Sequence, residues 1–403
     1  MRSSSDSLEM PGGVLVVVGS MGQMSFFLTK RGDCSSISWP SMDSRAACAS
    51  RTFCADLYEH TPTRTAQHRF TDTPLPARGD PARVAPEGRK AIAVKIETGD
   101  APPMQMHPDQ LPVSLGVVRE LVDQQFPEWQ GLPISEVASH GTVNALFRIG
   151  DKFVARFPLE PGEVTATRRW LESEAQAARE LSGCTRFLTP EPVALGEPGA
   201  GYPLPWAVQT WLPGTVATVE DPGESVGFAH DLAEFIRDVR AIDTHGRAFN
   251  GSGRGGNLRS ADAWMATCFE RSEQLLDVPR LRRIWTVMRA LPRSADDVMT
   301  HGDLIPGNVL VSHGRLAAVI DVGGLGPADP ALDLVGAWHL LEAGPRQALR
   351  NDLRCDDLEW ERGKAWAFEQ SMGAVSYYVE SDPAMSMMGQ VTLQRIVADA
   401  SVA

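Results

Sequence analysis

His301-Gly302-Asp303-Leu304-Ile305-Pro306-Gly307-Asn308-Val309-Leu310-Val311 is followed closely by Val319-Ile320-Asp321-Val322-Gly323. Both stretches set polar clusters against apolar, β-rich runs. The acids and the amide therefore fall on turns at strand ends, where a scaffold can hold them rigidly. Asp303 and Asn308 are too far apart for one helical turn and suit one tight loop. His313-Gly314 reads as a hairpin turn and Arg315 to Ile320 as the return strand, which delivers Asp321 beside Asn308.

Two carboxylates and an amide converging on one hairpin suggest a hard oxygen site. Mg²⁺ takes one or two carboxylates, adds phosphate oxygens and keeps several waters. Phosphoryl transfer uses such ligands plus a separate acid that orients the acceptor hydroxyl. His301-Gly302-Asp303, then Asn308, then Ile320-Asp321-Val322-Gly323 resembles the signature of the aminoglycoside phosphotransferase family of small-molecule kinases. It is also similar to the paired catalytic-loop and D-F-G motifs of protein kinases. The resemblance implies a two-lobed α+β fold, with a small sheet lobe and a larger helical lobe. It implies ATP and Mg²⁺ as cofactors, Asp303 as the residue facing the acceptor hydroxyl, and Asn308 and Asp321 as metal ligands. His301 would support the loop. Val322 stands where an aromatic residue is frequent in the family.

The chain has 403 residues, 43% of them hydrophobic, and a net charge of −13. Residues 1–105 carry 12 basic and 11 acidic side chains, and the remainder 26 and 40. The acidity thus belongs to the part with the hairpin. It argues against a nucleic-acid or anionic-membrane partner and favours a cationic one. Cysteines at 34, 48, 54, 184, 268 and 355 form no C-x-x-C and no zinc spacing. A reduced, cytoplasmic setting is the expectation, and no apolar run is long enough to span a membrane.

Residues 1–103 are rich in Ser, Thr, Pro, Arg and Gly and sustain no helical or alternating pattern. A disordered extension is expected there, followed by a nucleotide-binding lobe over 104–212 and a helical catalytic lobe over 213–403. Val113 to Phe126 has a helical apolar stripe, and 134–138, 145–149 and 153–157 read as strands. The turn Ser139-His140-Gly141-Thr142-Val143-Asn144 occupies the place of a nucleotide-covering loop, with Gly141 and Asn144 as phosphate-side candidates.

Thr165 to Leu181 is a helix with Glu174 inside it. The resemblance makes Arg156 the strand cation and Glu174 its partner, with Lys152 and Glu172 as the rival pair. Arg replaces the more usual Lys, but its fork can hold phosphate bidentately. Trp206 to Gly214 reads as a strand ending in a Pro-Gly turn. In the family this is the hinge, so the Thr210 carbonyl and Leu212 amide become adenine-binding candidates.

Two motifs compete with this reading. Gly223-Glu224-Ser225-Val226-Gly227 matches the hydrolase elbow G-x-S-x-G but lacks a strand running into it, so Ser225 is expected near a helix N-terminus. Gly251-Ser252-Gly253-Arg254-Gly255-Gly256 matches G-x-G-x-x-G without a βαβ frame and reads as a loop near the substrate cleft. Asp329-Pro330-Ala331-Leu332-Asp333-Leu334 resembles a family motif that starts a helix beneath the catalytic loop. Asp329 would cap that helix and Asp333 would hold the loop backbone.

The expected activity is ATP-dependent phosphorylation of a hydroxylated small molecule, aminoglycoside-like and amino-bearing. Macrolide or small-metabolite kinases, a non-catalytic nucleotide-binding pseudokinase and a Ser225 hydrolase are the alternatives. Trp338, Trp360, Trp366, Tyr377 and Tyr378 keep the macrolide alternative open, as candidate walls of an apolar cavity.

Overall fold

In the computed structural model, residues 15–21, 24–30, 110–137, 143–293 and 295–399 are described. Strands β1 (Leu15–Met21) and β2 (Met24–Lys30) pair with each other. Sequence pattern alone predicted no regular structure there, yet the β-branched run Val16-Val17-Val18 has high strand propensity. The expectation of disorder for the rest of 1–103, and the candidate Gly141, lie outside the described residues.

The small lobe is a five-stranded antiparallel sheet. Its strands are β3 (Ile134–Glu136), β4 (Asn144–Ile149), β5 (Phe153–Pro158), β6 (Pro192–Gly196) and β7 (Trp206–Thr210), in the order β3-β4-β5-β7-β6. Helix α1 (Leu115–Gln125) starts at Ser114, whose hydroxyl accepts from the Val117 amide at 3.3 Å. Its Val118, Leu121 and Val122 are buried with Phe147, Ile149, Phe157 and Trp206 of the sheet. Phe157 stacks on Trp206 with ring centroids 4.7 Å apart. The apolar stripe of α1 is what closes this core.

Helix α2 (Val164–Leu181) follows β5, its first turn capped by the Glu163 carboxylate. The chain then reaches the second lobe at Leu188, which accepts from the Val319 amide at 3.0 Å before entering β6. β8 (Thr215–Val216) follows β7 and pairs with the Val309–Ser312 strand of the His313-Gly314 hairpin.

The large lobe contains α3 (Val226–Arg240), α4 (Asp262–Arg271), α5 (Val278–Met288), β9 (Val298–Thr300), β10 (Val309–Ser312), β11 (Arg315–Val319), β12 (Gly326–Ala328), α6 (Val335–Leu340), α7 (Ala343–Leu353), α8 (Asp357–Tyr377) and α9 (Pro383–Asp399). Helix α8 is buried continuously from Arg362 to Val375. A helix buried all round shows no amphipathic stripe, and the polar residues it carries inward must find partners. Trp338, Trp360 and Trp366 are core residues rather than cavity walls. No helix among the described residues is long and apolar enough to cross a membrane.

Ser225 is the N-cap of α3: its hydroxyl accepts from the Phe228 amide at 3.1 Å and donates to the Gly314 carbonyl at 2.8 Å. Both contacts are structural, and no strand enters the preceding Gly223. The elbow a serine hydrolase needs is absent here.

Candidate active site

The hairpin forms as its residue types dictate. Ser312 pairs with Arg315 across a two-residue turn in which His313 and Gly314 have φ of 53° and 68°. Positive φ at both positions gives the turn whose twist matches the flanking strands. The Ile320 amide then donates to the Asn308 carbonyl at 2.9 Å, which brings Asp321 back to the loop that carries Asp303 and Asn308. Asp321 itself has φ 61° and ψ 53°. A left-handed carboxylate residue just past a strand, at the head of a 3-10 turn, carries local strain of the kind that collects at functional sites.

Asp303 is held by several donors. Asn308 Nδ2 donates to its carbonyl and to Oδ2, each at 3.0 Å. Gln370 Nε2 donates to Oδ1 at 2.7 Å, and Arg254 Nη2 donates to the same oxygen at 2.9 Å. The Asp303 amide donates to His301 Nδ1 at 3.3 Å. Since that nitrogen accepts, the proton of the neutral ring lies on Nε2, which donates to the Ile320 carbonyl at 3.2 Å. The imidazole therefore braces the two arms of the site and points no proton at a ligand.

Beneath the loop, the buried Asp333 carboxylate accepts from the His301 amide on one oxygen and from Gly302 on the other, both at 2.8 Å. Burial raises its pKa, while the His301 ring and these two amides oppose the rise. Asp329 caps the following turn by accepting from the Ala331 amide at 3.1 Å. That turn, Pro330–Leu334, is 3-10 before it passes into α6, a tighter start than the helix expected from the motif.

On the small-lobe side, Arg156 of β5 lies 3.0 Å from Glu174 of α2 and 3.8 Å from Asp321. Lys152 and Glu172, the rival pair, are both exposed. Burial raises the pKa of Glu174 despite the opposing charge of Arg156. Protein surrounds Asp321 although its side chain keeps 24% exposure. That desolvation pushes its carboxyl up to about 6, with Arg156 opposing and Glu174 and Asp303 adding to the shift.

Asn144 opens β4 as a buried residue whose Oδ1 has no hydrogen-bond partner. Thr210 ends β7. Because the Trp211 amide donates to Lys152 at 2.7 Å, ladder alternation turns the Thr210 amide away from β5 and toward Glu191, at 3.0 Å. Leu212 follows as an irregular, half-buried residue.

The donor set suits a hard divalent ion. Asn308 commits its Nδ2 to Asp303, so Oδ1 is its atom for a cation, and Asp321 is a carboxylate whose charge burial makes costly. No group of three His, Cys, Asp or Glu side chains stands together as a metal site among the described residues. A cation held by Asn308 and Asp321 would complete its shell with phosphate and water oxygens, the habit of Mg²⁺.

Two partners of Asp303, Arg254 and Gln370, and a carboxylate in the field of Arg254, Glu369, carry no role in the sequence reading. Arg254 belongs to the Gly251–Gly256 loop, which was placed near the cleft without a role. Gln370 and Glu369 belong to α8, where sequence showed only acidity. Glu369 is buried, its pKa is pushed up to about 6 by desolvation with Arg254 opposing, and its Oε2 has no hydrogen-bond partner. A lone cation between glycines was the one signal present. Nothing local marked the glutamine.

A five-stranded antiparallel lobe, a helical lobe and a loop–hairpin site at their junction define a kinase-like architecture. Within that class the chain belongs to the APH phosphotransferase enzyme family, whose model matches residues 135–366. An Escherichia coli aminoglycoside 3'-phosphotransferase is 32% identical over 145 residues, covering 34% of this chain and 52% of the relative. The Streptomyces fradiae enzyme of the same name is 34% identical over 161 residues, covering 36% and 57%. The chain thus aligns with about half the length of the curated relatives it matches. A GDP and kanamycin complex of an aminoglycoside 2''-phosphotransferase-IIIa shares the fold at TM-score 0.53 and 20% identity, covering 70% of this chain and 98% of that one. The GDP complex of the wild-type aminoglycoside 2'-phosphotransferase-IIIa does so at 0.51 and 17%, with 70% and 98% covered.

Proposed function

We propose that this protein transfers the γ-phosphate of Mg·ATP to a hydroxyl of an amino-bearing, polyhydroxylated small molecule of the aminoglycoside type. The observation that carries this reading is the convergence of Asp303, Asn308 and Asp321 on one hairpin, beside the pair of half-buried Arg156 and buried Glu174. Asn308 and Asp321 would hold Mg²⁺, which when bound supplies charge neutralisation at the phosphates. Arg156, oriented by Glu174, would contact the phosphates from above. Asn144 would add a polar contact on the loop side. The Thr210 carbonyl and the Leu212 amide would read the adenine edge at the hinge.

Asp303 would accept a hydrogen bond from the acceptor hydroxyl and align its oxygen with the phosphorus. Such transfers depend on positioning and electrostatic stabilisation more than on covalent chemistry, and the four donor contacts on Asp303 and its loop fit that demand. The amino-bearing acceptor is supported by the acidic balance beyond residue 105 and by Glu369, a buried carboxylate in the field of Arg254. Burial of Trp338, Trp360 and Trp366 in the core weakens the support a macrolide would have drawn from an aromatic cavity and leaves only the half-buried Tyr377 and Tyr378 for it.

The test is Mg·ATP turnover against a panel of kanamycin, a macrolide and choline, with phosphorylated product read by mass spectrometry. Product is expected with kanamycin, and Asp303→Asn is expected to lower kcat by roughly 10²–10⁴ with nucleotide affinity kept. Asp321→Ala should instead weaken Mg·nucleotide binding. Near wild-type turnover by Asp303→Asn would sink the assignment.

A further inference from the structure

A line of hydrogen bonds runs away from the acceptor side of Asp303 into the core. Gln370 of α8 donates through Nε2 to Asp303 Oδ1 at 2.7 Å. Its Oε1 lies 3.1 Å from His339 Nε2 of α6, and His339 Nδ1 lies 2.9 Å from the Thr392 hydroxyl of α9. All three side chains are buried, at 5%, 4% and 0% exposure.

The polarity of this chain follows from its end. A carboxylate accepts and does not donate, so the Gln370 amide must turn its NH₂ toward Asp303 and its oxygen toward His339. That oxygen needs a donor, which fixes the imidazole proton on Nε2. Nδ1 then accepts, and the Thr392 hydroxyl supplies the proton. Burial keeps the ring neutral, with its pKa lowered to about 4, so one tautomer satisfies every partner.

The consequence falls on Asp303. Its Oδ1 accepts from both Gln370 and Arg254, whereas Oδ2 accepts from Asn308 alone. Oδ2 therefore keeps a lone pair for another donor.

We propose that Gln370 is a positioning residue for phosphotransfer: held by His339 and Thr392, it turns the Asp303 carboxylate so that Oδ2 meets the acceptor hydroxyl. This rests on Asp303 being the residue that faces the acceptor. Gln370 touches no reacting atom, and its contribution is geometric. Misplacement on the order of 1 Å costs about 10²-fold in rate at such a centre.

The experiment uses the full-length protein with Mg·ATP and the acceptor panel above. Gln370→Met, close in volume but without a donor, is expected to lower kcat about 10- to 100-fold while both KM values stay within about threefold. His339→Leu should lower kcat about tenfold, and His339→Gln, which restores an N–H near the Nε2 position, should recover several-fold of that loss. A packing role alone predicts the reverse order, because a buried leucine is tolerated where a surplus amide is not. Unchanged kcat in Gln370→Met, or the reversed His339 order, overturns the proposal.

Absence of product with wild-type protein would defeat the functional reading instead, and diffraction then decides the present point. A carboxylate of Asp303 that rotates away from α8 in crystals of Gln370→Met supports the proposal; an unmoved one overturns it.

Discussion

His339 shows how one buried side chain couples stability to pH. The imidazole is enclosed by α6, α8 and α9, and desolvation is the main cause of its lowered pKa of about 4. The Arg254 and Arg395 charges lower it further, and the Gln370 bond and Asp303 oppose. A histidine with an ordinary pKa near 6.5 in the unfolded chain binds a proton there before the folded protein does. Stability from this group is therefore complete above about 6.5 and is lost as pH falls from 6.5 toward 4, by about 3 kcal/mol at most. The expected outcome is that the melting temperature drops between pH 7 and 5 in wild-type protein and drops less in His339→Gln. Parallel curves for the two proteins would assign the acid sensitivity to other groups.

Among the elements, two close approaches set the site. The turn after Asp321 lies so near α2 that a Cβ on Gly323 would stand 2.8 Å from Glu174 Cγ. Gly323→Ala is thus expected to displace Glu174 from Arg156. Overpacking of this kind costs about 1–3 kcal/mol, but the informative change is functional: KM for ATP should rise while acceptor KM holds. The second approach joins α8 to the loops of the large lobe. Arg362, 1% exposed, places Nε 2.7 Å from Asp329 and bonds the Leu291 and Gly256 carbonyls at 2.8 and 3.0 Å. Gly255 beside it has φ +105°, and a Cβ there would meet Ala328 at 2.6 Å. Arg362 therefore pins the loop that carries Arg254. Removing one member of a buried ion pair costs about 3–5 kcal/mol because the other charge stays behind. Arg362→Ala should accordingly lower the thermal midpoint far more than Arg350→Ala, whose partner Asp357 is exposed; equal effects would show that the buried pair adds no stability of its own.

For the molecule as a whole, charge is the property that reaches beyond contacts. Beyond residue 105 the chain has 40 acidic and 26 basic side chains. Under the proposed function ATP is itself anionic, so Arg156 and a bound cation would handle it locally, and the surplus would act on the acceptor. Such a field speeds capture of ammonium groups and is screened over about 10 Å at 0.1 M salt. The prediction is a steep fall in kcat/KM for a polycationic acceptor as salt rises, with little change for a neutral one. A flat salt response for both would remove the steering argument.

Sequence by itself determined the hairpin. Turn preference at His313-Gly314, β-rich flanks and the spacing of Asp303, Asn308 and Asp321 are local properties, and local geometry suffices to gather the three. It also placed the Arg156 strand and the Glu174 helix, since a period of two and a period of 3.6 are legible in single segments. Whether Arg156–Glu174 or Lys152–Glu172 forms the pair was open until the fold joined Arg156 to Glu174 and left Lys152 and Glu172 in solvent. The other partners of Asp303 came only with tertiary structure. Arg254 and Gln370 lie 49 and 67 residues from it along the chain. Helix α8 is buried on every side, with polar and apolar residues mixed around it, so its sequence has no stripe to say which face meets the Asp303 loop. Packing against α6, α9 and the Asp329 turn chose that face, and with it the glutamine that holds Asp303.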